Sequence, residues 1–202
     1  SRQLQKWHIP PIQSWQDLWH PGLQRRISLP DNDREVIGLC LKRRGFSYNQ
    51  MPLVDIEQLQ ADLHSLDGQT LTYTSNYYVQ ALVQEDTWVA VGWSNDVHTI
   101  VKRYPYLRVV HPQEGTALWF DCWAVLQPHP LIAKWINYSL QPHQSHLLTV
   151  FTDGIGITDT DRFLPPAYLA KCEPILPLSP SATTAYQKLW RQLRDKPRHH
   201  LM

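Results

Sequence analysis

Cysteine is scarce in this chain. Cys40, Cys122 and Cys172 are the only three among 202 residues, scattered and odd in number. No metal-knuckle or redox spacing joins them, and each is expected to be a small buried hydrophobe. Long hydrophobic runs are missing too. No stretch of 18 apolar residues occurs, so no spanning helix is expected. The opening Ser1-Arg2-Gln3-Leu4-Gln5-Lys6-Trp7 holds no apolar signal core. Charge is also thin, at 18% of residues against roughly 25% in ordinary soluble domains. Lys and Arg number 19, Asp and Glu 18, for a net charge of +1. The lack of a basic field argues against a nucleic-acid partner, and none is expected.

The usual catalytic signatures are absent. Ser47 and Ser94 lie in no G-x-S-x-G elbow, and no Walker-type phosphate loop occurs. His143 and His146 have the i, i+3 spacing a metal can use, but no third ligand accompanies them, so they read as a solvated helix face. No catalytic residue, metal or cofactor is expected, and the chain is not expected to be an enzyme. What is abundant is aromatic: 11% of residues, with nine Trp and nine Tyr. So much apolar material argues against disorder. A chain this long buries roughly 70% of its extended surface.

The pattern alternates between strand and helix. Ser14 is placed to cap a short helix before Trp15, and Arg26–Leu29 alternates as a strand. Val36, Ile37, Leu39, Cys40 and Leu41 form a helical stripe ending at Gly45, with Asn32 and Glu35 spaced as a capping box. A second helix is expected over Val54–Leu66, ended by Gly68. A strand follows at Leu71–Thr74, a short helix at Asn76–Gln84 and a buried parallel strand at Thr87–Trp93. Then come a helix at Asp96–Tyr104 and a strand at Leu107–Val110. Leu118–Leu126 is too apolar for a surface loop and reads as one or two strands. Helices are expected at Leu131–Leu140, Pro142–Phe151 and Ala182–Leu193, with a loop at Asp153–Pro166 and a loose tail from Lys196. The order predicts an α/β fold with a mainly parallel sheet flanked by helices.

Five segments, in order, resemble the periplasmic spermidine/putrescine-binding proteins of ABC importers. They are Ser14–Trp19 with Gly22 and Arg26–Leu29; Arg34–Leu39 with Leu41, Lys42 and Gly45–Asn49; Val89–Trp93 with Asn95; Pro112–Gly115 leading to Leu118–Asp121; and Ala133–Tyr138 with Leu140 and Pro142. Ala185–Leu189 resembles that family's closing helix. The resemblance implies a periplasmic-binding-protein-like lobe. Residues 1–120 and 166–202 would form the second lobe, and 121–165 a segment returning to a first lobe otherwise absent. It also implies a periplasmic, monomeric, non-catalytic receptor that captures a polyamine or similar small cation between lobes and delivers it to a membrane permease. The competing reading, from another class, is a truncated lobe that serves as an interaction or scaffold module.

A polyamine needs carboxylates for its ammonium groups and aromatic faces for its chain and charge. By the resemblance, Trp93 and Trp119 are aromatic walls and Asp121 a carboxylate of that site. Asp121 lies in an apolar run, where a buried carboxylate requires a partner. Glu35 falls where the family has a ligand carboxylate, although a capping box wants Glu there for local reasons. Asn32 falls where the family often has Asp, which lowers the negative charge offered. Tyr77, Tyr78 and Trp88 read as core or interface.

Overall fold

In the computed structural model the described residues are 2–53, 56–152 and 164–195. Helix α1 (Arg2–Lys6) is followed by two 3-10 turns, Trp15–Trp19 and Pro21–Leu23. Strand β1 (Ile27–Leu29) leads into α2 (Asp33–Arg43), then α3 (Ile56–Gln69) and β2 (Thr70–Tyr73). Helix α4 (Tyr78–Val83), β3 (Val89–Ala90) and α5 (Ser94–Arg103) complete the first unit of sheet and helices. Strand β4 (Ala117–Leu118), α6 (Pro130–Ser139), α7 (Pro142–Thr152), α8 (Pro166–Leu169), β5 (Glu173–Pro174) and α9 (Pro180–Arg194) follow.

The sheet is parallel, in the order β2-β1-β3. Strand β1 sits in the middle with Ile27, Ser28 and Leu29 fully buried. A central parallel strand covered on both faces has no polar side to show, so its run is continuously apolar apart from Ser28. Helices α2, α3 and α9 pack together on this core through Val36, Ile37, Leu39, Leu59, Leu63, Leu66, Tyr186, Leu189 and Leu193. A second, two-stranded parallel sheet pairs β4 with β5. No described helix is long and apolar enough to cross a membrane.

Several expectations are corrected. Gly68 does not stop α3, which runs on to Gln69. Its last carbonyls are taken by the chain entering β1: Arg25 N–H donates to Gly68 O at 3.2 Å and Arg26 N–H to Gln69 O at 2.9 Å. A helix end satisfied by tertiary bonds needs no left-handed glycine cap. Residues 107–110 are not a strand, and the three-stranded sheet ends at β3. Of the run 118–126, only Leu118 is in a strand, and Trp119, Phe120, Trp123, Val125 and Leu126 are exposed. Cys40 and Cys172 are buried but Cys122 is exposed. Most of the expected Asp153–Pro166 loop, and the tail from Lys196, lie outside the described residues.

The α6–α7 hairpin is turned inside out. Its most buried side chains are the polar Ser145 and Thr149, while Leu131, Trp135, Tyr138, Leu147, Val150 and Phe151 face outward, Phe151 at 89% exposure. Apolar surface on this scale marks a contact face rather than a finished exterior.

Candidate binding site at the end of the sheet

The three parallel strands end on one edge: Asn32 and Glu35 come after β1 and Trp93 after β3, while Trp119 and Asp121 follow β4 of the second sheet. Ligands of open α/β sheets bind outside such carboxyl ends. After β1, Asn32 caps α2 by accepting from Glu35 N–H at 3.1 Å. The box is half closed, however, because the Glu35 carboxylate is turned elsewhere. Its Oε1 accepts from the Trp119 indole Nε1–H at 2.6 Å. That bond joins two of the expected site residues across 84 positions of sequence. Glu35 is only 8% exposed, while Trp119 leaves 56% of its surface open to solvent.

Trp119 is brought there by a sequence of ties. Ser14 Oγ donates to the Glu114 carboxylate, and Trp15 Nε1–H donates to Gly115 O at 2.9 Å. Gly115 has φ +89°, and a Cβ there would collide with the Lys171 carbonyl, so only glycine fits. Tyr48 is buried against Gly38 of α2, and its hydroxyl is bonded by the Thr116 side chain and the Ala117 backbone. Strand β5 beside β4 is anchored in turn, since Glu173 accepts from Lys42 Nζ and Ser47 Oγ. Strand β4 is thus clamped to α2, and the next residue is Trp119.

Burial pushes the Glu35 carboxyl above the usual carboxylate range, tempered by the Trp119 bond and the charge of Arg34. Glu173 goes the other way. Its partial burial raises it, but the bonds from Lys42 and Ser47 more than offset this and hold it low. The two have opposite pH signatures. A raised carboxyl binds its proton more tightly in the folded state, so the stability it contributes is present at low pH and lost as pH rises through the raised value. The Glu173 contribution is present above the ordinary range and lost as pH falls through the lowered value. Glu35→Gln is therefore expected to flatten the fall in stability above the ordinary glutamate range, and Glu173→Gln the fall below it. Urea midpoints measured across pH check both slopes.

Trp93 follows β3 and stands at the N-cap of α5 with no side-chain cap bond. Its ring meets the edge of Tyr78 at 6.1 Å. Tyr78 is buried and donates its hydroxyl to Asp96 Oδ2 at 2.6 Å while accepting from Trp93 N–H at 3.3 Å. Asp121 lies two residues past Trp119 and is exposed. Burial therefore forces no partner on it, because water solvates it. The structure thus joins Asn32, Glu35 and Trp119 directly and ties Trp93 to Tyr78 on the same sheet edge. It leaves Asp121 at the solvent-facing rim. Tyr48, which backs Glu35, is a site element that sequence reasoning misses. Its signal is a bulky ring following the Gly45 turn with Gly38 on the facing helix. His143 and His146 belong to no metal-holding group among the described residues.

The family model for bacterial extracellular solute-binding proteins matches residues 1–152. The chain belongs to that family. The spermidine/putrescine-binding periplasmic protein 1 of Haemophilus influenzae is 29% identical over 144 residues, which cover 68% of this chain and 39% of that protein. The spermidine/putrescine ABC transporter substrate-binding protein PotD of Streptococcus pneumoniae superposes with a TM-score of 0.79 at 21% identity, covering 92% of this chain and 62% of that one. The TpPotD lipoprotein of Treponema pallidum superposes at 0.80 with 16% identity, covering 93% and 63%. The fold is that of a periplasmic-binding-protein lobe. The chain spans about two fifths of the length of the first relative and under two thirds of these solved chains.

Proposed function

We propose that the chain supplies one wall of a two-lobed cleft that captures a polyamine, putrescine or spermidine, in the periplasm and delivers it to an ABC permease. The observation that carries this reading is the Glu35–Trp119 pair: a buried carboxylate at the N–H edge of an indole that is more than half exposed. A carboxylate in a partly dry site holds an ammonium by a charge-assisted bond, about twice as strong as a neutral one. The indole face adds a cation–π contact of about 0.5–2 kcal/mol. The Trp119 bond and the charge of Arg34 favour the ionised form of Glu35 against the burial that raises it. The names of the relatives support the ligand class.

Residues 1–120 and 166–202 form the second lobe in this reading, and 121–165 belong with a first lobe. The outward-facing apolar side chains of α6 and α7 support that division, since a first lobe would cover them. The 202 residues alone are expected to bind a hydrophobic dye in native buffer, with the signal falling when Trp135 and Leu147 are replaced together by Lys. Unchanged fluorescence would place the dye elsewhere.

Thermal denaturation tests the ligand class. A ligand that binds only the folded state raises the melting temperature by mass action. Putrescine or spermidine at several millimolar is expected to raise it, and neutral sugars and amino acids are not. A shift with sugars and none with polyamines would overturn the assignment.

A further inference from the structure

Among the described residues of the sheet edge, Tyr77 is an aromatic that the fold leaves almost wholly unused. It is 70% exposed, yet its backbone is fixed. Thr74 Oγ1 accepts from Asn76 N–H at 3.3 Å and from Tyr77 N–H at 3.1 Å. Thr74 N–H is itself bonded to Leu29 O at 2.8 Å, at the end of β1. On the other side Tyr78 is locked by Asp96 and by the backbone of Trp93. Strand β2 lies on one side of β1 and β3 on the other. The loop from Thr74 to Tyr77 therefore crosses the carboxyl edge of the sheet, past the end of β1, to reach α4 beside β3. The turn that carries Tyr77 lies at the same sheet edge as the start of α2 after β1 and the Trp93 segment after β3. A large ring held in water on a rigid turn contributes little to the fold, since burial is what stabilises an aromatic.

We propose that Tyr77 is a ligand-contact residue, an aromatic wall that meets the cationic chain at this sheet edge. The inference rests on the cleft reading above. Tyrosine suits the task because its ring offers a π face to an ammonium or to methylenes while its hydroxyl stays hydrated. The ring carries no charge of its own, so it adds contact area without adding a carboxylate to the site.

Nuclear magnetic resonance titration of the 202-residue chain with putrescine tests this. Tyr77→Leu is expected to weaken binding about three- to fivefold, in line with an exposed cation–π contact, with an unchanged melting temperature. Tyr77→Phe keeps the ring and is expected to bind like the parent. Glu35→Gln serves as the comparison. If Glu35→Gln loses binding while Tyr77→Leu keeps full affinity, the Tyr77 inference is overturned and the cleft reading stands. A large fall in melting temperature for Tyr77→Leu would show a packing role and also overturn it. If putrescine does not bind the parent chain at all, the reading and the inference fall together.

Discussion

Glu35→Gln is expected to abolish saturable putrescine binding to the 202-residue chain without lowering its stability at neutral pH. A half cleft holds such a ligand at about millimolar affinity, some 4 kcal/mol. Losing the charge of a hydrogen-bonded partner costs about 1.5–3 kcal/mol, or about 10- to 150-fold. That moves the titration beyond any practical concentration. Stability behaves differently because the carboxyl is desolvated. The amide keeps the shape and can still accept the Trp119 indole N–H, while it removes a charge that burial penalises. Asp121→Asn should have a smaller effect, since an exposed carboxylate acts through water and is screened. Calorimetric or magnetic-resonance titrations beside urea midpoints separate these outcomes. A Glu35→Gln protein that binds normally would remove the central carboxylate from the site.

Gly92→Ala should have the largest effect on stability. Gly92 lies two residues past β3, and a Cβ there would run into the Tyr78 ring. The ring cannot retreat, because its hydroxyl is bonded to Asp96 and to the Trp93 backbone. Overpacking of this kind costs about 1–3 kcal/mol, or roughly 3–10 °C in melting temperature for a chain of this size. Because Trp93 is the next residue, the strain should also displace its ring and weaken ligand binding. A Gly92→Ala protein with an unchanged melting temperature would show that the Tyr78 contact is not fixed.

The elements that build this site were legible where local chemistry dictates them. Asn32 announced the start of α2, and the alternation before Pro30 announced β1. The Trp119–Glu35 bond was not legible as a contact, because 84 positions separate the two residues. Only the family resemblance brought both into one site. Capping logic explained Glu35 locally, whereas its carboxylate in fact answers to the ties that hold β4 against α2. Reading apolarity as burial failed for residues 119–126 and for Asp121 with them. Apolar residues face inward only where the chain supplies a surface to meet them, and among the described residues this run meets little beyond the Trp135 ring against Trp123. Gly68 failed as a stop for a related reason: tertiary bonds from Arg25 and Arg26 finish α3. Tyr77 and Tyr78 are neighbours with opposite fates, one exposed and one buried, a difference that sequence adjacency does not reveal.

The most direct test of a cation-binding wall is the set of indole N–H resonances, one for each of the nine tryptophans, followed during titration with putrescine. Trp119 and Trp93 are expected to shift together and to saturate, Trp119 most because its N–H bonds the carboxylate that meets the ligand. The buried Trp15 should stay in place, and a neutral sugar should move none of them. Shifts confined to Trp123 and Trp135 of the exposed apolar face, or no saturable shift at Trp119, would contradict the account.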